Sequence, residues 1–278
     1  MRSKERVSNS GSWTSMLSDR GPVMLVVLAH PDDEFCLFPW IQSHARDAGP
    51  VHLAYLTDGG WGGQSIQRRQ RESLGVLRRL GVADGHVHFL GADLHAPDGG
   101  LHLHMAAVAG GLFQLVDTLQ PGQVMLPAWE GGHQDHDAAH LLGCLAVQRS
   151  GARGWEYCLY HGHGLIGPLF NLLAFIKRDA VVEEIDTGLL ERIRYVGFCL
   201  QYRSQWKSFM GLLPLYVLRL LRSNAFKRRS IDYALTSERP HAGPLLYERR
   251  GGPSWDDFAA ATREFRSAEP EAREDHRR

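Results

Sequence analysis

The apolar positions of the first 160 residues recur in the alternating pattern of an α/β protein. The first apolar segment is an unbroken run at 23–29, which predicts a strand buried on both faces. Four more strands are predicted at 51–56, 87–90, 124–126 and 157–160. Helices are predicted between them, at 35–48, 65–80, 103–119 and 137–148. This alternation indicates right-handed crossovers and a Rossmann-like α/β fold with a mainly parallel central sheet flanked by helices.

Beyond residue 160 the pattern is less regular. A strand is predicted at 181–185, on the outside of the sheet, and a helix is predicted from an N-cap at Thr187 to Gln205. Four apolar residues at helical spacing are expected to face inward, namely Leu190, Ile193, Val196 and Leu200. We expect this divergent portion to shape the access of substrate.

Two further apolar runs, at 165–176 and 209–221, allow two interpretations. We favour ordinary helices that fill the core and cover the sheet. Alternatively, residues 209–229 form a basic amphipathic surface, suited to lipid headgroups or to an acyl-bearing substrate, through the basic residues Arg222, Lys227, Arg228 and Arg229. Pro214 argues against one long uninterrupted helix in this segment.

The length of 278 residues fits one α/β domain, which we place at 21–263, with a core at 21–160 and the divergent portion at 161–263. Residues 1–20 are polar and 264–278 are strongly charged, so both ends are predicted to be disordered. The Lys+Arg count of 31 equals the Asp+Glu count of 31, which leaves no global field to recruit nucleic acid.

The cellular environment is predicted from the cysteines and the N-terminus. The four cysteines are widely spaced and form no CxxC pair, which indicates buried thiols in a reducing compartment. Residues 1–20 contain no apolar leader segment, and the run at 23–29 is too short to span a membrane. We therefore expect a cytoplasmic protein, and peripheral membrane contact is the alternative raised by residues 209–229.

A first polar motif follows the first predicted strand and contains His30, Asp32, Asp33 and Glu34. Open α/β sheets bind their ligands at the carboxyl ends of strands, where this motif lies. His30 and Asp33 can turn to one metal ion, while Asp32 can approach a water on that ion. The alternative is a plain turn with a helix cap, but capping does not require a histidine together with three carboxylates.

A second polar motif, at 133–136, follows the fourth predicted strand and opens a helix. It contains His133, Asp135 and His136, preceded by two glycines that let the backbone fold tightly. A surface histidine cluster is the alternative in a chain with 15 His. The presence of two such motifs at two strand ends of one sheet argues against that alternative.

Together the two motifs supply nitrogen and oxygen ligands without a thiolate, which is typical of a catalytic zinc site with three protein ligands and a water. Zinc would lower the pKa of that water and polarise a substrate carbonyl. A nearby carboxylate would act as base, and a second histidine would stabilise an oxyanion or protonate a leaving amine. No Gly-x-Gly-x-x-Gly follows the first strand, so a nucleotide-binding oxidoreductase is not indicated.

Both motifs resemble those of the PIG-L/LmbE-like zinc-dependent N-deacetylases, a family that includes deacetylases of N-acetylglucosaminyl-phosphatidylinositol, of mycothiol and bacillithiol synthesis and of glycopeptide antibiotics. The resemblance covers about 23–160. Three further segments match in the family's order, Thr57-Asp58-Gly59, Arg69-Gln70-Arg71-Glu72 and Leu80-Gly81-Val82. Tyr202-Arg203-Ser204-Gln205 resembles a later element of the family.

The resemblance implies a role for each site residue. Zinc would be bound by His30, Asp33 and His136, with Asp32 as general base and His133 as acid or oxyanion stabiliser. Asp135 would orient a histidine, and Glu34 would accept hydrogen bonds from backbone donors. The resemblance also implies two substrate-binding residues, Arg69 and Asp98. Arg69 could instead pair with Glu72 on its own helix, and Asp98 could simply shape a turn.

One departure from the family concerns a tyrosine that some members carry just before the second motif. Trp129, Glu130 and two glycines occupy that segment here. The resemblance predicts a zinc-dependent hydrolase that removes an N-acetyl group from an N-acetylglucosamine-type amino-sugar conjugate, a small-molecule partner. The alternatives are removal of a longer acyl chain, cleavage of a thiol-conjugate amide, and an inactive sugar-binding module.

Overall fold

The computed structural model describes residues 21–60, 63 and 65–275, with side chains through residue 268. The described residues form nine strands: Met24–Leu28 (β1), Val51–Tyr55 (β2), Val87–His88 (β3), Gln123–Pro127 (β4), Arg153–Tyr157 (β5), Tyr160–His161 (β6), Asn171–Leu172 (β7), Val182–Asp186 (β8) and Ala225–Ser230 (β9). The predicted disordered leader at 1–20 lies outside the described residues.

The α-helices of the same residues are Phe38–Asp47 (α1), Ile66–Arg79 (α2), Leu90–Asp93 (α3), Met105–Leu119 (α4), Gln134–Ser150 (α5), Leu189–Cys199 (α6), Trp206–Arg222 (α7), Leu246–Arg249 (α8) and Trp255–Asp275 (α9). None of them, within the described part of the chain, combines the length and the apolar character needed to cross a bilayer.

Seven strands of the described residues form one sheet, in the order β3-β2-β1-β4-β5-β9-β8. The pairs among β1 to β5 are all parallel, whereas β9 pairs antiparallel with both β5 and β8. The fold is therefore α/β with a mainly parallel central sheet flanked by helices, as predicted. The predicted outer strand corresponds to β8, at the edge of the sheet. The remaining strands β6 and β7 form a separate antiparallel pair.

Strand β1 lies at the centre, with β2 on one side and β4 on the other. Its side chains alternate between two cores, as the two-residue period of a strand requires. Val26 packs in the core that includes residues of α1, α6 and α7, and Val27 packs in the core that includes residues of α4, α5 and α9. From β1 the strand order first runs outward through β2 and β3 and then continues on the other side of β1 with β4 and β5. The crevice between β1 and β4 is therefore the switch point where such sheets bind ligands.

The inward face predicted for helix α6 is wrong. Three of its four predicted residues, Leu190, Ile193 and Leu200, are exposed, whereas Tyr195, Phe198 and Cys199 are buried. The aromatic rings of this second face pack on Phe38 of α1 and occupy more core volume than the leucines would. The helix also starts later than predicted, because Gly188 is the N-cap and the Thr187 hydroxyl donates to the Asn224 carbonyl.

The two apolar runs have different structures. The run at 165–176 forms no helix; its only regular element is β7. The run at 209–221 lies in α7, which continues through Pro214, so the predicted interruption is wrong. Pro214 is exposed, and the buried Phe209 and Tyr216 hold the helix on either side of it. Lys227, Arg228 and Arg229 belong to β9 and therefore do not extend a helical surface.

The end of the domain also differs from the prediction. Residues 264–275, predicted to be disordered, lie in α9. Phe258 and Phe265 are two helical turns apart, and both are buried in the core beside α4 and α5. The apolar contact of one helix face outweighs the charge of the segment. Residues 276–278 lie outside the described part.

The four cysteines are buried and unpaired. Burial raises the pKa of Cys144, of Cys158 and of the other two thiols, which keeps them in the neutral form. Reactive thiolates are therefore not part of the chemistry of this protein.

Arg229 and Glu156 form a buried ion pair that joins β9 to β5. The Nε and Nη2 atoms of Arg229 lie 2.8 and 2.7 Å from Glu156 Oε1, and each side chain is 3 % exposed. We expect Arg229→Met to lower the free energy of unfolding by about 3–5 kcal/mol, because Glu156 would stay buried without its partner. Chemical denaturation measures this change.

Lys227→Met provides the matched control. Its ion pair with Glu184 joins the same strand, β9, to β8, but the two side chains are 39 % and 47 % exposed. Its loss should cost less than about 1 kcal/mol. Equal effects of the two variants would contradict the prediction.

Candidate active site

The two polar motifs meet in the crevice beyond the carboxyl ends of β1 and β4. These strands are paired in parallel, with Val26 opposite Met125, so both motifs emerge at the same edge of the sheet. Asp33 Oδ1 lies 3.2 Å from His136 Nε2, and Asp33 Oδ2 lies 3.4 Å from His30 Nδ1. One carboxylate therefore bridges histidines that are more than a hundred residues apart in sequence.

His30, Asp33 and His136 form a compact group of metal-ligand type. Their ligand atoms lie within 4.8 Å of one another, and all three residues are buried. The backbone N–H of His30 donates to Asp33 Oδ2 at 2.8 Å and fixes that carboxylate. Two imidazoles and one carboxylate suit a divalent metal ion with an open position for water. The group can therefore hold a divalent metal ion, as the sequence predicts.

Asp135 lies behind His30 and determines how that ring is used. Its Oδ2 accepts a hydrogen bond from His30 Nε2 at 3.0 Å, which leaves Nδ1 of the same ring facing Asp33. The carboxylate also accepts the N–H groups of Gly99 and Leu101. This arrangement matches the predicted task of orienting a histidine, and it also holds the loop at 97–101 against the site.

Asp32 has a backbone conformation that non-glycine residues rarely adopt, with φ of 114°. Its N–H donates to Glu34 Oε2 at 2.9 Å, and the preceding carbonyl of Pro31 accepts from Arg69. Burial raises the pKa of Asp32 to about 8, reinforced by Asp33 and opposed by Arg69. Asp32 lines the same pocket as Asp33 but does not belong to the metal-ligand group.

Glu34 is fully buried and connects the first motif to the C-terminal portion of the chain. Besides the Asp32 N–H, it accepts the hydroxyl of Tyr202 at 2.8 Å. The predicted acceptance of a backbone donor is therefore present in the structure. Burial raises the pKa of Glu34. The Tyr202 element is positioned by this contact, far from the motif in sequence.

Arg69 is buried and bound mainly to protein groups. Its two terminal nitrogens donate to the carbonyls of Gly59 and Pro31, to Asp98 Oδ2 at 2.9 Å and to Asp32 Oδ1 at 3.3 Å. The alternative pair with Glu72 is not formed, because Glu72 accepts from Arg68 and from Ser204. These contacts make Arg69 a support for two carboxylates of the pocket.

Asp98 does more than shape its turn. Its two oxygens lie 3.3 Å from His30 Nε2 and 2.9 Å from Arg69 Nη1. Burial raises the pKa of Asp98, but His30 and Arg69 lower it by more, so that it falls well below its usual value. Asp98 is therefore a carboxylate of the site, held by the Asp58 side chain through its own backbone N–H.

His133 is the N-cap of α5 and faces the pocket. Its Nδ1 accepts the N–H of Asp135, so Nε2 carries the ring proton of the neutral form. The ring centroid lies 4.8 Å from that of His30. Burial lowers the pKa of His133 to about 4, with His30 contributing, so the imidazole is neutral at neutral pH.

The site opens into a cavity of about 350 Å³. Six of the nine predicted site residues line it, and Glu34, Asp135 and His136 lie behind them. The structure adds five polar lining residues outside the two motifs, Tyr160, Gln205, Ser208, Tyr247 and Arg250. Of these, Gln205 belongs to the element at 202–205. The ring centroids of Tyr160 and His136 are 5.3 Å apart. A tyrosine therefore lies beside the second motif, but it comes from strand β6.

Residues 25–147 match the family model described as GlcNAc-PI de-N-acetylase, PIG-L. The match contains both motifs and every residue of the metal-ligand group. This region is similar to the PIG-L family. No curated protein sequence matches the chain.

Solved structures with the same fold include deacetylases and a hydratase. The antimicrobial reagent A40926 pseudoaglycone deacetylase Dbv21 shares 17% identity over 81% of this chain and 100% of its own, with a TM-score of 0.57. The N,N'-diacetylchitobiose deacetylase of Pyrococcus horikoshii shares 17% identity over 84% and 91%, with a TM-score of 0.54.

A third structure with this fold is GalB, the 4-carboxy-2-hydroxymuconate hydratase of Pseudomonas putida. It shares 15% identity over 76% of this chain and 96% of its own, with a TM-score of 0.51. The fold alone therefore does not define the reaction. The PIG-L match supports a hydrolytic N-deacetylase.

The metal-ligand group predicts a specific loss of metal affinity. Replacing His136 by alanine removes one of three ligands, so we expect the affinity for zinc to fall by more than about a hundredfold, beyond the effect of losing a residue that only orients a ligand. Equilibrium dialysis with metal analysis measures the affinity.

His44→Ala is the control for this prediction. His44, on α1, is also buried, but it hydrogen-bonds the Pro22 carbonyl away from the site. Its replacement should leave the affinity for zinc unchanged. A similar loss in both variants would show that the effect comes from destabilised folding.

Proposed function

We propose that the protein is a zinc-dependent hydrolase that removes the N-acetyl group from an N-acetylglucosamine-type amino-sugar conjugate. The proposal depends on one observation: His30, Asp33 and His136 converge at the base of a pocket that the separate carboxylate of Asp32 also lines. The PIG-L match and the pocket volume of about 350 Å³, which suits a small molecule, support the same assignment.

Zinc is proposed from the donor set. Two histidines and one carboxylate, with no thiolate, are the ligands of a catalytic zinc site that keeps one position open. When bound, zinc lowers the pKa of a water molecule and polarises a carbonyl oxygen. The residues of the chain supply the remaining functions.

Asp32 is proposed as the general base that takes a proton from the attacking water. It lines the pocket next to the ligand Asp33, and Arg69 Nη2 lies 3.3 Å from its Oδ1. This contact directs the carboxylate and opposes the rise of its pKa, and a divalent cation on the neighbouring ligands would lower that pKa further, towards the ionised form that a base requires. The proton taken by Asp32 is then available for the departing amine.

His133 is proposed to stabilise the oxyanion that forms when water adds to the amide carbonyl. Because its Nδ1 accepts from Asp135 N–H, its Nε2–H is the donor available to the pocket. A neutral imidazole donor of this kind is effective in a site shielded from water. Because this neutral ring has no acidic proton to give, the departing amine takes its proton from Asp32, and the oxyanion role is the one of the two predicted roles that we propose for His133.

A longer acyl group is a second candidate substrate. Phe35, Phe209 and Leu212 form an apolar part of the pocket wall. An acetyl group is too small to cover this surface, whereas an acyl chain would bury it. This observation favours acyl-chain hydrolysis over cleavage of a thiol-conjugate amide.

An amine-release assay with the zinc-loaded protein tests the proposed function. The substrates are matched glucosamine conjugates that carry either an N-acetyl or an N-octanoyl group on the same aglycone. We expect turnover of the acetyl compounds. Preference for the octanoyl compounds would assign the second candidate, and no amine release from either series would contradict the proposal.

The role of Asp32 predicts a separation of metal binding from catalysis. We expect Asp32→Asn to lower kcat by about a hundredfold to ten-thousandfold, the contribution of a positioned base. Bound zinc should stay at the level of the unchanged protein. Loss of zinc would show that base and ligand have been exchanged.

Asp84→Asn serves as the control for Asp32→Asn. Asp84 carries a half-exposed carboxylate that pairs with Arg78, outside the pocket. Removing its charge should leave both kcat and bound zinc unchanged.

A further inference from the structure

The outward side of helix α7 is apolar. Its inward side buries Phe209, Tyr216 and Leu220 in the core. On the outward side, Met210 is 63 % exposed and Leu221 is 71 % exposed. A helix on the surface of a globular protein normally turns charged residues outward, and a helix that is apolar on all sides is normally covered.

Helix α6 extends the same surface. The two helices lie side by side, because Arg192 of α6 donates to the Leu220 carbonyl of α7. Both bury their opposite sides in the same core, so their outward sides form one surface. We call this surface the α6–α7 face and define it by its exposed apolar residues Leu190, Ile193, Trp206, Met210, Leu218 and Leu221. Several large apolar side chains exposed on two adjacent helices are typical of an interaction site.

The segment that forms this face is positively charged. Residues 189–222 contain six Lys and Arg residues and a single acidic residue, Glu191, although the whole chain has 31 of each sign. None of the six basic side chains forms an ion pair with the described part of the chain. The neighbouring Lys227 and Arg228, in contrast, are paired with Glu184 and Glu183. The segment that carries the face therefore has a positive charge that ion pairs do not compensate.

We propose that the α6–α7 face docks on the surface of an anionic lipid bilayer. Apolar side chains interspersed with basic ones are the composition of helices that lie in the membrane interface, where the chains enter the acyl boundary and the cations meet the headgroups. A second copy of the chain is a poorer occupant, since a two-fold contact would place one set of uncompensated cations against the other.

The position of this face relates it to the cavity. Ser208, Phe209 and Leu212 of α7 line the pocket, while Met210 and Leu218 on the same helix face outward. Helix α7 is thus a wall between the pocket and the proposed lipid surface.

Vesicle co-sedimentation of the full chain at moderate salt tests the proposal. The vesicles are phosphatidylcholine alone and phosphatidylcholine mixed with phosphatidylglycerol. We expect binding to the mixed vesicles and little binding to phosphatidylcholine alone. Leu218→Ser with Leu221→Ser should weaken the binding by more than about tenfold, because two apolar side chains leave the interface.

Charge and apolar contributions are separated by further variants. Lys207→Gln with Arg222→Gln should weaken binding to mixed vesicles by about tenfold or more, through loss of headgroup attraction. Leu103→Ser is the matched control, since Leu103 is 70 % exposed but lies outside the α6–α7 face. It should bind as the unchanged protein does. Thermal unfolding followed by circular dichroism verifies that each variant is folded.

Three outcomes would overturn the proposal. The first is no sedimentation with mixed vesicles, and the second is equal binding to both vesicle types, which would exclude the contribution of charge. The third is self-association in analytical ultracentrifugation that disappears in the Leu218→Ser, Leu221→Ser variant, which would assign the face to a second copy of the chain.

Discussion

The parallel pairing of β1 with β4 is the constraint on which the site depends. The two polar motifs follow these strands, and the pairing places Asp33 within 3.2 Å of His136. A slip of the register by one residue would turn every side chain of β1 from one core to the other and would displace the first motif relative to the second. Burial of that strand on both faces therefore fixes the geometry of the ligands.

The site also has a surplus of buried negative charge. The site contains four aspartates, Asp32, Asp33, Asp98 and Asp135, and one buried guanidinium, that of Arg69, which pairs with Asp32 and Asp98. Burial lowers the pKa of His30, yet the surrounding carboxylates raise it by more, so that this pKa lies well above its usual value. Such a cluster is stable only if cations compensate it, and a divalent ion on the predicted ligands supplies that compensation.

The sequence was sufficient for the sheet and for both motifs, because a long apolar strand and a set of polar ligands are local patterns. It was not sufficient where a segment has two apolar faces. On α6, the leucine face that contains Leu190 and the aromatic face that contains Tyr195 both fit the spacing of a helix. Only the space available against Phe38 decides that the aromatic face is the buried one. The partners of Arg69 were missed for a related reason. Asp98 approaches Arg69 from a loop, and the spacing of apolar residues does not predict the path of a loop.

The different tasks proposed for two adjacent aspartates have a backbone origin. In an extended strand, neighbouring side chains point to opposite faces, but residue 32 has already left the strand and adopts φ of 114°. This conformation is costly for aspartate and is maintained by the bonds from Asp32 N–H to Glu34 and from Arg69 to the Pro31 carbonyl. Asp33 is thereby directed to the two histidines and Asp32 to the pocket. Because Glu34 is held in turn by Tyr202, the separation of ligand from base depends on a contact with the divergent part of the chain.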